Sequence, residues 1–460
     1  TLTPDLVTGL FDAYKAGREI WNQQQGLKQP HIICAWFDEY SEQKKQCADK
    51  TAFNKHHQKF CKKRAGKLQQ ESVRHQAAIL SMEDLEKNTP SDNNTLNYSN
   101  IGQTIIDAAQ ELHQQHHDTN SLNGQTASVG LIRIAHISDL VKLAQTIHSD
   151  TGDNTKIHLA KNTKIHLVCY HSRQLLVLRN QLETQLDRIL KRSNDSSLFD
   201  HLEINQAIQK HDSEQQIKHH IFIVLATPIA EVGRDHDYDW AIIEPSSIRS
   251  IVQLAGRVWR HRPEKVADSP NLLILGCNLK ALSLGEDLGI NKAVFTHPGF
   301  ENENGFLLKS HRIKELILED QLCRIDSSLR IQRADNLEPD ALLVDLEHDV
   351  LAKLLNLNGE TNFVSDFWLS NSANRATAHL QKISPFRQQD GIQEEFVCQP
   401  DEDEPSGYRF RYAELAWEAP DDEDNQNNLI RYQDFNTDNS SIQTWLESNP
   451  KQALEALSEI

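Results

Sequence analysis

HIFIVLATPIAEVGRDHDYDWAIIEPSSIRSIVQLAGRVWRHR, residues 220–262, is the stretch from which the fold is read. Residues 221–226 form a continuous apolar run of the kind buried on both faces of a parallel sheet. Thr227-Pro228 ends it, because proline cannot donate to a ladder. In an open α/β sheet ligands collect at the carboxyl ends of the strands, so the polar residues that follow, Glu231, Gly233, Arg234 and Asp235, are expected there for chemistry rather than packing. Residues 240–243 make the next strand; Glu244-Pro245-Ser246-Ser247 closes it and caps a helix beginning near Ile248. Gln253, Arg257 and Arg260, spaced by four and three, are predicted to share one face of that helix. Such a face, across from an acidic Gly-x-Asp turn, suits a polyphosphate: guanidinium forks match phosphate oxygens, and the Asp can hold a ribose hydroxyl.

The wording of the stretch adds a resemblance. TPIAEVGRDHDYD resembles motif V, and QLAGRVWRHR resembles motif VI, of superfamily 2 helicases, and LATPIAEVGRDHDYDWAIIEPSSIRSIVQLAGR is closer still to the CRISPR-associated helicase-nucleases of type I interference systems, subtype I-F. The resemblance implies a RecA-like second helicase domain, in which Arg257 and Arg260 are arginine fingers reaching to a nucleotide held on a first motor domain. Fingers of this kind contribute about 10³–10⁵ in rate. It further implies that Gln253 orients the attacking water or γ-phosphate, that Gly233, Asp235 and Glu231 face the nucleotide, and that Thr227 contacts a DNA phosphate. Upstream, YHSRQLLVLRNQLE resembles motif IV, with Tyr170, His171, Ser172 and Arg173 as a platform for a single-strand phosphate. Ser172 also reads as a plain helix N-cap, and Leu175, Leu176, Leu178 and Leu182 as the buried stripe of the helix that follows.

The chain has 460 residues, 38% of them hydrophobic, enough for two or three domains with real cores. No apolar run reaches membrane length and no signal peptide is visible, which reads as cytoplasmic. Seven scattered cysteines, never spaced as CxxC, argue against a disulfide framework or a zinc ribbon. A net charge of −18 requires any nucleic-acid path to be a local basic groove within an acidic body.

Taken in order, the chain opens on Thr1-Leu2-Thr3, which looks like the end of a Ser-Ala-Thr motif III, so residues 1–40 are expected to finish the first RecA-like domain, with a helix from Pro4 and a buried strand over 30–37. Residues 41–126 combine a Lys- and His-rich helical stretch with a polar run over 88–126, and are expected to be a surface insertion or linker whose basic face is a solvated helix or a DNA contact. Residues 127–280 are the α/β layer of five or six parallel strands; 281–339 are a connector with a helix over 310–323 and the family-like phrase THPGFE. Residues 340–460 are a small α+β accessory domain, opened by an amphipathic helix (Leu342, Leu343, Leu346, Val350, Leu354), carrying strand-like alternation over 408–415, and including family-like Trp368 and the PFR phrase at 385–387.

His116-His117-Asp118, His211-Asp212, His236-Asp237 and His348-Asp349 invite a metal reading, but they sit on separate elements, so no metal is expected on this chain. It carries no GxxxxGK[ST] and no Asp-Glu-x-His strand, hence half of an ATP site. The expected cofactor is ATP with Mg²⁺, shared with the first motor domain; divalent metals belong to an upstream HD nuclease. The partners that the resemblance implies are single-stranded DNA, the CRISPR RNA-guided surveillance complex, the N-terminal nuclease and motor portion, the CRISPR adaptation integrase and phage anti-CRISPR proteins, with no membrane. Another superfamily 2 helicase, for example of RNA, and a passive nucleic-acid-binding or scaffold fragment are the competing readings.

Overall fold

The computed structural model describes residues 3–28, 32–88, 96–149, 157–193, 196–210, 217–285, 287–296, 298–303, 305–355, 396–401, 408–412, 441–446 and 450. Its strands, in chain order, are β1 (Ile32–Phe37), β2 (Glu42–Cys47), β3 (Ala77–Leu80), β4 (Asp118–Thr119), β5 (Thr126–Arg133), β6 (Thr163–Tyr170), β7 (His219–Ala226), β8 (Trp240–Ile243), β9 (Leu272–Leu275), β10 (Phe396–Pro400), β11 (Tyr408–Tyr412) and β12 (Ile442–Thr444). The principal sheet runs β12-β6-β7-β5-β8-β9-β3, parallel throughout, with the short β4 antiparallel on β5. The chain is thus an α/β protein, and the five strands read between 127 and 280 are its centre.

The run IFIVLA explains why. Phe222, Val224 and Ala226 enter one core, whereas Ile221, Ile223 and Leu225 enter another on the opposite face. A strand apolar on both sides is stable only where helices cover both faces. Helices Leu176–Ile189, Leu202–Gln209 and Ile248–Ala255 line the first core, and Tyr98–Gln115 and Ile137–His148 line the second. Trp240 sends its indole across β5, where a Cβ on Gly130 would come within 2.1 Å of the ring; its Nε1 donates to Ser128 Oγ at 3.0 Å. Burying a side chain of this size contributes about 2–3 kcal/mol, and only glycine leaves it room.

Several expected boundaries give way. Residues 77–80 and 98–115, expected within a surface insertion, are an edge strand of the main sheet and a helix packed on it. The polar run over 88–126 hides a one-sided stripe, Ile101, Ile105, Ile106, Ala109 and Leu112, started by Asn97, whose side chain accepts from Asn100 N. The strand expected over 30–37 is not buried in a sheet core: β1 pairs only with β2, and Ile33 and Phe37 are exposed. That hairpin crosses the expected limit at residue 40. It packs with helices Pro4–Gln24 and Lys50–Leu68 around Phe11, Trp36, Cys47 and Phe53.

At the other end, helix Leu343–Leu354 contributes Leu343, Leu346 and Val350 to the main core, rather than opening a separate domain. The connector holds three short helical turns, Ile313–Leu316, Glu319–Leu322 and Ser328–Ile331, in place of one helix over 310–323. In the THPGFE phrase Glu301 is buried, accepting from Val294 N, Phe295 N and Leu308 N and meeting His311, so these residues tie a loop together. β11 lies where alternation placed a strand and pairs with β10, while β12 returns to the edge of the main sheet beside β6. Trp368 and 385–387 lie outside the described residues.

Candidate functional site

The segment after β7 divides its polar residues by depth. Thr227, expected on a DNA phosphate, is buried; its N–H donates to Tyr170 O at 3.1 Å and it precedes the 3-10 turn Pro228–Glu231. Glu231, expected to face a nucleotide, is also buried. Its carboxylate accepts from Arg133 Nε at 2.9 Å and Ser250 Oγ at 2.9 Å, and Arg133 reaches on to Glu244 O at 2.7 Å and Ser246 Oγ at 2.8 Å. A charge in the dry interior is tolerable only with such partners, so this knot fixes the carboxyl ends of β5 and β8. Gly233 takes φ +79°, a turn conformation that glycine adopts without strain. Arg234 pairs with Glu183 and, at 3.0 Å, with Asp187. Asp235 stays open, its side chain 67% exposed, on the segment leading into β8.

The helical face proposed for Gln253, Arg257 and Arg260 is not formed. Ser247 caps the helix as expected, through Ser250 N at 3.2 Å, but the helix stops at Ala255 with Gly256 as C-cap, and Trp259 turns the chain at φ +51°. Arg257 and Arg260 therefore leave in different directions. Arg257 is buried and its Nη2 donates to Glu231 O at 3.0 Å; Arg260 pairs with Asp235. The Arg260 hydrogen bond holds the Asp235 carboxyl below its usual range, and His261 Nε2 adds a contact at 3.1 Å.

Asp235, Gly256, Arg260 and His261 line an open cleft of ≈ 490 Å³ with Arg74 and His75, which come from the segment leading into β3. Gln253 and Arg257 are not in its wall. Arg74 Nη2 donates to Trp259 O, and His75 Nε2 meets Val258 O at 2.8 Å; burial pushes the His75 pKa down to about 4. Three buried nitrogens in this neighbourhood, Arg74 Nε, Arg257 Nη1 and His261 Nδ1, have no hydrogen-bond partner among the described residues. Burial lowers the pKa of Arg74 and Arg257, with Arg260 adding to the effect on Arg257. Buried donors are ordinarily satisfied, so the unsatisfied guanidinium nitrogens of Arg74 and Arg257 near a cleft fit an anion in kind. Arg74 and His75 carry no motif and were not singled out in the sequence; their spacing from Arg260 gives no signal.

The phosphate platform is smaller than expected. Tyr170 is fully buried and its hydroxyl donates to Glu183 Oε1 at 2.8 Å, so it presents nothing to solvent. His171 is half-buried, with its pKa lowered by burial. Ser172 and Arg173 remain exposed. Ser172 is not an N-cap: the helix begins at Leu176 after Leu175, and Ser172 O instead accepts from Arg179 Nη1 at 3.0 Å. Leu182 is buried in the core as expected, but Leu176 is exposed.

The HD pairs are held apart. His236 Nε2 meets Asp187 Oδ1 at 2.9 Å, His116 Nε2 meets Pro270 O at 2.9 Å, and His348 Nδ1 meets Asp5 Oδ2 at 3.1 Å; His211-Asp212 lies outside the described residues. Among the described residues no three His, Cys, Asp or Glu side chains gather as a metal site requires. Asp237 and Asp239 serve a different end. Arg262, fully buried, donates Nη2 to Asp237 Oδ1 at 2.5 Å and Nη1 to Asp239 Oδ1 at 2.7 Å, and Arg192 spans Asp239 at 2.6 Å and Asp118 at 2.8 Å. Burial alone would raise the Asp239 pKa, but Arg192 and Arg262 hold it well below the carboxylate range. The sequence carried the signal only as an unexplained alternation of Asp235, Asp237 and Asp239.

A doubly covered parallel sheet with an arginine-lined cleft on its GRDHDYD and QLAGRVWRHR segments is the architecture expected of a helicase motor domain. Residues 126–263 match the family described as CRISPR-associated nuclease/helicase Cas3, C-terminal. The chain is 39% identical to the CRISPR-associated nuclease/helicase Cas3 subtype I-F/YPEST of Pseudomonas aeruginosa (strain UCBPP-PA14), over 99% of this chain and 40% of that protein. It is 37% identical to the protein so described from Pectobacterium atrosepticum, over 84% and 34%. The chain is thus similar to this family over nearly its whole length, and it spans 40% and 34% of the length of these two relatives. T. fusca Cas3 with AMPPNP is also similar, at 17% identity over 45% of this chain and 18% of that one; its TM-score of 0.26 is too low to compare architectures. No described helix is long and apolar enough to cross a membrane.

Proposed function

We propose that this chain is the second motor domain of an ATP-dependent single-stranded DNA translocase, joined in the intact protein to a first motor domain and an upstream HD nuclease that degrades foreign DNA in CRISPR interference. The observation that carries the reading is the cleft: Arg260 and Asp235, taken from two motif-like segments, meet there beside Arg74 and the unsatisfied nitrogens of Arg74, Arg257 and His261. These residues fit nucleotide phosphates in kind. Arg260 would exchange Asp235 for phosphate oxygens, and Arg257, outside the wall and held by Glu231 O, would add to the positive potential there. ATP supplies the phosphoryl-transfer chemistry when bound; the reading assigns its Mg²⁺ to the first motor domain and the nuclease metals to the HD domain. Single-stranded DNA and the RNA-guided surveillance complex are the partners in this reading, with the adaptation integrase and anti-CRISPR proteins as further ones.

The test uses the intact protein. Arg260→Ala is expected to lower DNA-stimulated ATP turnover by about 10³-fold or more, while single-strand affinity stays nearly unchanged, because the group meets charge that develops in the transition state. Equal losses of turnover and affinity, in a variant with native thermal stability, would favour a passive nucleic-acid-binding role. Residues 1–460 alone are expected to show no DNA-stimulated ATPase.

A further inference from the structure

The unit formed by β1, β2 and helix Lys50–Leu68 carries a charge pattern opposite to that of the whole chain. The chain's net charge is −18, yet Lys44, Lys45, Lys55, Lys59, Lys62, Lys63 and Lys67 are all exposed and enter no ion pair among the described residues. Of the basic side chains on the same helix, Lys50 pairs with Asp12 and Arg64 with Glu39, so these two are already neutralised. On the helix, Lys55, Lys59, Lys63 and Lys67 recur every fourth residue, placing like charges one above another at a rise of about 6 Å per step. Like charges at this spacing repel and destabilise a helix. No carboxylate alternates with them, as it would on a merely solvated face.

The row does not stand on an open helix surface alone. Lys45 from β2 and Lys55, His56 and Lys59 from the helix converge with Glu42 and Gln43 on a cleft of ≈ 390 Å³. Its two walls are held together by Phe53, Cys47 and Trp36 beneath, with Trp36 Nε1 donating to His57 Nδ1 at 3.1 Å. The groove is therefore built by packing; its helix wall is cationic, and its β2 wall sets Lys45 beside Glu42. It lies on a different unit from the Asp235–Arg260 cleft and shares no lining residue with it.

We infer that this groove and the lysine row extending from it form a nucleic-acid docking face that grips a sugar-phosphate backbone without reading bases. A regular line of unpaired lysines suits a polyanion with regularly spaced charges. Lysine provides point charges rather than the planar forks that fix a single phosphate geometry, so the grip tolerates sliding and is blind to sequence. This inference needs neither ATP nor the arginine cleft.

The experiment is a fluorescence-anisotropy titration of residues 1–460 with a labelled mixed-sequence 20-nucleotide single strand, and with its duplex, at several salt concentrations. Lys55→Glu/Lys59→Glu/Lys63→Glu is expected to weaken binding at least tenfold and to reduce the slope of log K against log salt by ~2, since each lost phosphate contact removes ~0.7 on a single strand. The milder Lys→Gln triple should give an intermediate loss; both retain good helix formers, and circular dichroism verifies the fold. A control triple of exposed lysines elsewhere, Lys161→Glu/Lys292→Glu/Lys353→Glu, makes the same change in net charge and should leave affinity within about twofold. Arg260→Ala should leave it unchanged as well, which separates this face from the cleft. Loss confined to the single strand or to the duplex identifies the form that docks. Unchanged binding in a folded Lys55/59/63 triple, or an equal loss in the control triple, overturns the inference.

Discussion

Asp235 and Asp239 stand four residues apart in one acidic segment, and their surroundings differ sharply. Asp239 is sealed, bonded to Arg262 and Arg192 through Oδ1 and to Val129 N through Oδ2; Asp235 is 67% exposed and touches Arg260 at the mouth of a cleft. Both are acid–arginine pairs, and only depth separates them. Water screens the outer pair, which can therefore part and re-form; the inner one would leave a buried charge stranded if either partner went. The segment thus uses the same chemistry twice, once to lock the amino end of β8 and once at the open mouth of the cleft.

The largest stability effect is expected where the inner pair is broken. Arg262→Ala should destabilise the chain by about 3–5 kcal/mol in urea unfolding, since Asp237 and Asp239 would remain buried with fewer donors. A loss below about 1 kcal/mol would show that depth does not distinguish the two pairs. Acidification should act next. Burial lowers the pKa of His113 to about 3 and of His220, His148 and His236 to about 4, so these groups are neutral in the fold and bind protons in the unfolded chain below about pH 6.5. Their penalty is absent above that pH and grows as pH falls from about 6.5 toward 4. Urea midpoints at pH 7.5, 6 and 5 should therefore decline, and a flat profile would mean these side chains are hydrated in solution. The smallest change is expected for Asp235→Asn, at about 0–1 kcal/mol in the same urea assay. A loss comparable to that of Arg262→Ala would place Asp235 in the structural network instead of at a ligand-facing edge.

How much of this was legible depended on whether the information was local. β5, β6, β7, β8 and β9 each announce themselves by apolar runs with turn residues at their ends, and Ser247 declares its helix because a cap is a three-residue matter. β3, with only AAIL, and β12, with IQT, owe their existence to partners about 200 and 280 residues away along the chain. Helix Tyr98–Gln115 was obscured by polar residues on its outer face, although its inner stripe has ordinary helical spacing. At the site, identities were readable and depths were not. Glu231 and Asp235 look alike in sequence, yet Arg133, nearly a hundred positions earlier, draws one into the interior. The expected Arg257–Arg260 face failed on one conformational detail, the helix stop at Gly256, which a Gly within QLAGR does not by itself decide.

The return of β12 to the sheet has a consequence for how the protein is made. β6 is completed on its outer side only by residues 442–444, and Trp445 then lies against Phe222 and donates Nε1 to Ile223 O at 3.3 Å. On the ribosome, the central strands emerge more than 160 residues before the piece that covers their flank. Until it arrives, β6 exposes a row of unpaired amides and carbonyls that another nascent chain can join. Native pairing across so long a loop is also slow to form. Vectorial synthesis thus leaves a sticky border open until residues 442–444 emerge, and a ribosome that stalls before residue 442 releases a chain primed to aggregate.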